Sequence, residues 1–131
     1  RTYGMLCPLL PGIADAPEQI EELVMFAKSC GAEEVFAETV NSRGNGLRRT
    51  QEALLAAGFV TEAEAVADIR KRPNWSAYAL RIVRNLQKAM RKHMTMKQLR
   101  FLLYPSNLMP DDEEAIRKRD GGVVWLGKQQ K

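Results

Sequence analysis

The chain is short of the residues that build secreted scaffolds and metal modules. Its 131 residues hold two cysteines, Cys7 and Cys30, and one histidine, His93. Two cysteines cannot make a disulfide framework, and these two are too far apart in sequence for a CxxC knuckle, so both are read as thiols. A lone histidine has no partner for a metal site; at the end of a basic helix it suits the last carbonyls of that helix. No apolar run approaches the roughly 20 residues that cross a bilayer. The first residues also lack the charged, apolar and small-residue zones of a signal peptide, which predicts a cytoplasmic protein. No internal repeat or low-complexity segment is present. The chain opens at Arg1 directly into apolar residues, which predicts an internal start and a piece of a longer protein.

The most informative absence is of acidic residues. Residues 69–110 carry ten bases and no acid, while residues 1–68 carry eleven acids against five bases, so the net charge of +4 hides a strong asymmetry. Clustered Lys and Arg release counterions from phosphates, which points to an anionic partner such as DNA.

What is present reads as α/β. A hydrophobic content of 45% is ordinary for one globular domain. Residues 3–10 form an apolar run closed by Pro11-Gly12, the pattern of a buried strand. Asp15 and Pro17 then open an amphipathic helix, with Ile20, Leu23, Val24 and Ala27 at helical spacing and Gly31 as its stop. A second strand over 35–40 completes a βαβ unit, so the sheet is predicted to be parallel. The Gly- and Asn-rich residues 41–46 are a loop at the carboxyl end of that strand, where parallel α/β folds build their sites.

Short helices follow over 50–57 and from Thr61 to before Pro73. A long helix capped by Asn74 or Ser76 carries an apolar stripe of Tyr78, Ile82, Leu86 and Met90. Opposite it, Arg81, Arg84, Lys88 and Arg91 share one face. A strand over 99–104, a loop over 105–110, a helix over 111–119 and a strand over 123–126 complete the chain. The resulting division is a βαβ part over residues 1–60 and an α-rich extension with the basic helix and short strands over 61–131, packed as one domain.

Three side chains carry competing readings. Cys7, in an apolar strand, is read as a core filler. Glu38, an acid inside an apolar strand, is paired, on a solvated edge, or turned into a barrel mouth. Trp75 and Trp125 are core anchors before they are base-stacking platforms.

Several segments resemble one enzyme family. Gly4-Met5-Leu6-Cys7-Pro8-Leu9-Leu10-Pro11-Gly12-Ile13-Ala14-Asp15 is similar to the fifth strand of radical S-adenosylmethionine barrels. Glu38-Thr39-Val40-Asn41-Ser42-Arg43-Gly44 is similar to the end of the sixth strand in the spore photoproduct lyase group of DNA-repair proteins. Asn74-Trp75-Ser76-Ala77-Tyr78, Leu102-Leu103-Tyr104-Pro105-Ser106 and Gly122-Val123-Val124-Trp125-Leu126 resemble that group's C-terminal region.

The resemblance implies a partial (β/α) barrel, made of the C-terminal strands and helices of such an enzyme plus a C-terminal extension. It also implies that the adenine and ribose of S-adenosylmethionine rest on Leu6, Pro8, Asn41, Ser42 and Arg43. The family's chemistry is reductive cleavage of S-adenosylmethionine by a 4Fe-4S cluster, then hydrogen abstraction from substrate. The CxxxCxxC motif that binds the cluster is absent here, so the expectation is a lyase-like enzyme in full length whose fragment alone is inactive. The missing N-terminal half of the barrel is an expected partner, DNA is another, and open strand edges are a route to a dimer.

The rival reading is a non-catalytic module that binds nucleic acid or a partner protein through the basic helix over 75–94. A fragment of another α/β barrel is a third, with Gly44-Asn45-Gly46 as a faint phosphate loop.

Overall fold

A computed structural model describes residues 1–127. Its strands are β1 (Tyr3–Leu6), β2 (Glu34–Glu38), β3 (Leu99–Leu103) and β4 (Val123–Trp125). They form one parallel sheet in the order β1-β2-β3-β4, with β1 and β4 as open edges. The helices are α1 (Pro17–Ser29), α2 (Gly46–Ala56), α3 (Val60–Asp68), α4 (Arg72–His93) and α5 (Pro110–Arg117).

Period-two alternation explains how the sheet is clothed. Val35, Ala37, Leu99, Phe101 and Leu103 are buried against Ile20 and Val24 of α1 and Tyr78, Ile82, Leu86 and Met90 of α4. Each large side chain sealed in this layer contributes about 1.5–3 kcal/mol. Gly4 faces the same layer, where a Cβ would lie 3.1 Å from that of Ala27. The alternate positions Tyr3, Met5, Phe36, Arg100, Leu102 and Val124 lie on the other face, which no helix among the described residues covers. There Met5 keeps 63% of its surface, and the Tyr3 and Phe36 rings meet edge-on with centroids 6.0 Å apart.

The same alternation corrects two expectations. Leu6 shares the parity of Gly4 and packs against the helix-side core, so it does not point to the uncovered face. Cys7 has the opposite parity and is exposed, so it fills no core. The first strand stops at Leu6, four residues before its apolar run ends, because Pro8 has no N–H for the ladder. Backbone contact resumes where the Leu9 N–H donates to the Glu38 carbonyl at 3.2 Å.

Two helix starts also differ from expectation. Pro73 does not end the preceding helix but lies in the first turn of α4, where its missing N–H costs nothing, so α4 begins at Arg72 ahead of Asn74 and Ser76. Gly44, at φ 70°, turns the chain directly into α2 at Gly46, one turn earlier than residue 50. Asp15 caps no helix; α1 starts from Ala16, whose N–H donates to the Gln19 side chain at 3.2 Å.

Among the described residues, no helix is long and apolar enough to cross a membrane.

Candidate functional site

The two loops singled out as ligand sites have different fates. The one after β1 is closed by the protein itself. Pro11 is buried, and Gly12, at φ 74°, lies so close to α3 that a Cβ there would come within 2.8 Å of the Ala65 Cβ. The Asp15 carboxylate accepts the Gly12 N–H at 2.9 Å and an Arg81 guanidinium N–H at 2.8 Å, and Asn85 donates to the Asp15 carbonyl at 3.3 Å. Pro8 is exposed at the start of this segment and does not line the cleft described next.

The loop after β2 is open. Between it and the turn after β3 lies a cleft of about 240 Å³, at the carboxyl ends of both strands. Asn41, Ser42 and Arg43 line one side, Leu102, Tyr104 and Ser106 the other, with Glu38, Thr39, Asn107 and Trp75 completing the lining. Side-chain bonds hold the two walls together. Arg43 donates to the Ser106 hydroxyl at 3.1 Å, and Asn107 donates to the Ser42 hydroxyl at 3.1 Å. Arg72 fixes the far side by donating to the Leu108 carbonyl at 2.8 Å.

The first turns of α4 shape this rim from beneath. The Trp75 indole N–H donates to the Val40 carbonyl at 2.9 Å, and the Tyr78 hydroxyl accepts the Val40 N–H at 3.2 Å while donating to the Leu9 carbonyl. Trp75 is therefore both a buried anchor and part of the cleft wall. Ser76 does not cap α4 either; it accepts the Met109 N–H at 2.7 Å and donates to Asp112 at 2.6 Å, tying α5 to the site.

Two lining groups have polar capacity to spare. The Asn41 side-chain oxygen accepts the Arg43 N–H at 2.8 Å, while its amide NH₂ has no acceptor among the described residues. Glu38 lies in the cleft without a hydrogen bond or ion pair to its carboxylate among the described residues. The nearby bases are engaged elsewhere, Arg100 with Glu34 at 3.5 Å and Arg43 with Ser106. Of the three readings open to Glu38, the geometry is that of an acid turned toward the rim.

Cys7 sits beside this acid, with its sulfur 3.9 Å from the Phe36 carbonyl. Partial burial, then the negative charge of Glu38, pushes its thiol up, so it is a protonated thiol at neutral pH and not a ready nucleophile. Cys30 caps the far end of α1, about 20 Å along that helix from its start. His93 meets the carboxylate of Glu21 at 2.8 Å and makes no contact with the cleft.

The basic stripe of α4 divides in two. Arg81 is paired with Asp15, and Arg84 donates to the Ala115 carbonyl at 3.0 Å, where it caps the end of α5. Lys88 and Arg91 are exposed, about 20–24 Å along the helix from Trp75. The stripe thus lies on the outside of the helix layer, away from the cleft.

Of the residues proposed to bind a nucleoside, the structure gathers Asn41, Ser42 and Arg43 and leaves Leu6 and Pro8 outside. It adds Tyr104, Leu102, Trp75 and Glu38. Of these, Glu38 stands out in the sequence as an acid in an apolar strand, but its meeting with Leu102 needs the register of β2 and β3, which sets residues 64 apart in sequence side by side. Compared with known proteins, the chain matches no family model, no curated protein and no solved structure.

Proposed function

We propose that the chain is the C-terminal portion of a radical S-adenosylmethionine enzyme of the spore photoproduct lyase type, and that the β2–β3 cleft takes the nucleoside of S-adenosylmethionine. The observation that carries this reading is the cleft itself, which lies at the carboxyl ends of neighbouring parallel strands and is walled by Asn41, Ser42 and Arg43. A strand order of β1-β2-β3-β4, with helices on a single face, is also how an arc of a (β/α) barrel is built. In such a barrel the uncovered face of Tyr3, Met5, Phe36 and Leu102 would be the lumen, and the open β1 edge would pair with the preceding strand. Parallel sheets are almost always covered on both faces, which favours a missing layer over a bare surface.

A 4Fe-4S cluster does not fit the residues present. Cys7 follows β1 and Cys30 caps the end of α1, and no three His, Cys, Asp or Glu side chains among the described residues are grouped to hold a metal. The cluster's ligands therefore belong to polypeptide outside this chain, and the chain alone is inactive.

S-adenosylhomocysteine, which cannot react, separates binding from chemistry. Titrated into isotopically labelled chain, it is expected to shift the Trp75 indole and the Arg43 amide; unmoved signals at millimolar ligand would refute the reading. A longer polypeptide reconstituted with iron and sulfide is expected to release 5′-deoxyadenosine under reduction.

Of the four bases on which the rival module would grip nucleic acid, Arg81 is paired with Asp15 and Arg84 is turned to the Ala115 carbonyl, which leaves Lys88 and Arg91 as its exposed charges. DNA remains a proposed partner of the longer enzyme, reached across the rim and not through this stripe.

A further inference from the structure

We propose that Asn45 is a site of spontaneous deamidation, its side-chain amide being attacked by the backbone nitrogen of Gly46 to give a cyclic imide that water opens to aspartate or isoaspartate. The proposal is independent of what the cleft binds.

The chain has five asparagines, and their surroundings set one apart. Asn41 accepts the Arg43 N–H at 2.8 Å, Asn74 donates to the Asp68 carboxylate at 2.9 Å, Asn85 to the Asp15 carbonyl at 3.3 Å and Asn107 to the Ser42 hydroxyl at 3.1 Å. The residues after these four are Ser42, Trp75, Leu86 and Leu108, whose side chains crowd the amide nitrogen that would have to attack. Asn45 is exposed, its side chain makes no hydrogen bond among the described residues, and Gly46 follows it. Nothing lies within 4 Å of where a Cβ on Gly46 would stand, so its nitrogen is open to approach. Its N–H is also the first of α2 and has no carbonyl one turn earlier to hold it.

Attack requires a rotation. At φ −97° and ψ 2°, Asn45 turns the Gly46 nitrogen away from its own side-chain carbon, and its carbonyl accepts the Arg49 N–H at 3.0 Å. The reactive conformer is therefore reached when the first turn of α2 frays. That turn has neither a side-chain cap nor an acid to steady it, and glycine on both sides of Asn45 leaves the backbone free to rotate.

Water is the only co-reactant. The Gly46 nitrogen gives up its proton to solvent and bonds the Asn45 Cγ, and the side-chain nitrogen leaves as ammonia. Water then adds to one imide carbonyl and breaks one carbon–nitrogen bond. Opening at the side-chain carbonyl gives aspartate, whereas opening at the main-chain carbonyl gives isoaspartate, with the backbone rerouted through the side-chain methylene. The two products act oppositely on α2. Aspartate places an anionic acceptor at the start of the helix, where the exposed N–H groups favour it. Isoaspartate lengthens the backbone by one atom between Arg43 and Leu47, and so shifts the loop of Asn41, Ser42 and Arg43 against α2.

The test incubates the whole chain in mildly alkaline water enriched in heavy oxygen, then digests it with trypsin. Cleavage after Arg43 and Arg48 isolates residues 44–48, in which Asn45 is the one asparagine. This peptide is expected to exchange NH₂ for a heavy-oxygen hydroxyl, and to split into two forms of which one is a substrate for isoaspartyl methyltransferase. Peptides holding the other four asparagines are expected to stay unchanged. Gly46→Ala, at a position with helical backbone and open space, is expected to abolish the change over the same period. Asn45→Asp is expected to raise the urea midpoint, as a gained cap requires.

No exchange in residues 44–48, while a free peptide of the same sequence converts, would overturn the proposal. Equal exchange at the other asparagines would overturn the distinction drawn from their hydrogen bonds. Undiminished exchange in Gly46→Ala would remove the Gly46 nitrogen as the attacking group. The first two outcomes are read on the unmodified chain, so they stand whether or not either variant folds.

Discussion

Replacing Tyr78 by phenylalanine removes one oxygen and, with it, the link that joins the segments after β1 and β2 through the helix layer. Tyr78 is fully buried, and its hydroxyl is the only side-chain link among the described residues between the segment after β1, through the Leu9 carbonyl, and the segment after β2, through the Val40 N–H. The ring of phenylalanine fills the same space, so no cavity term enters. What changes is that a buried carbonyl and a partly buried N–H lose their partner. Each stranded group costs about 1–3 kcal/mol, and with partial relaxation the expected loss is about 2–4 kcal/mol, against a total stability of about 5–15 kcal/mol for a domain of this kind.

Urea denaturation followed by tryptophan fluorescence measures it, since Trp75 lies one turn from the substitution. The midpoint is expected to fall with the slope unchanged. Alkaline pH gives an independent arm. Burial pushes the Tyr78 phenol well above the usual tyrosine range, while the Val40 N–H pulls the other way. A group raised on folding stabilises fully below its unfolded value, near 10, and loses that contribution as pH rises above it. The unmodified chain should therefore lose stability above about pH 10, and the phenylalanine variant should lose less. A midpoint shift worth under about 0.5 kcal/mol, or identical alkaline limbs, would show that the hydroxyl does not hold the two rim segments.

Four further outcomes follow from single contacts. Gly12→Ala, which forces a side chain onto a positive φ and into Ala65, should cost about 1–3 kcal/mol by thermal or urea unfolding. Glu21, held at about 2 by hydrogen bonds from Lys92 and then His93, stabilises above the ordinary carboxylate range and loses that contribution as pH falls toward its folded value. Its replacement by Gln should flatten the decline of Tm between about pH 5 and pH 2. Trp125→Phe should stay within about 1 kcal/mol of neutral by urea unfolding, because it removes a buried indole N–H that has no partner among the described residues, which offsets a weaker hold on the Arg117 guanidinium 3.9 Å over the ring. Neutralising Lys88 and Arg91 together as glutamines should leave the salt-dependence slope of duplex DNA binding unchanged; a fall of about 1.8, two phosphates' worth, would show that this end of the stripe contacts DNA.

Most of the fold was legible because its signals are local. Alternation placed β2 and β3 to within a residue or two, and the stripe of Tyr78, Ile82, Leu86 and Met90 faces the sheet as its spacing required. The misses have local causes as well. An apolar run over residues 3–10 cannot show where hydrogen bonding ends, so the strand was drawn past Pro8 and Cys7 was placed in the core. Continuous apolarity also conceals parity, and parity alone separates Leu6, on the helix side, from Met5, on the uncovered side. Pro73 was ambiguous between stop and start, since proline is tolerated just after a helix and inside the next one's first turn.

The site was legible only where it is contiguous. Asn41, Ser42 and Arg43 come from one loop, and a loop at the carboxyl end of a parallel strand announces itself. Glu38, Leu102 and Tyr104 are joined by a strand pairing that no local pattern encodes, which is why an acid in an apolar strand could be flagged but not interpreted. The basic stripe shows the converse error. Spacing on a helix states which side chains share a face but not what that face meets. Here Asp15 arrives from the β1–α1 loop to take Arg81, and the end of α5 arrives to take Arg84. An acid-free stretch of sequence can therefore be partly neutralised in space, here where Arg81, Lys92 and Arg100 pair with Asp15, Glu21 and Glu34, and charge counted along the chain measures a partner's attraction only after these internal claims have been subtracted.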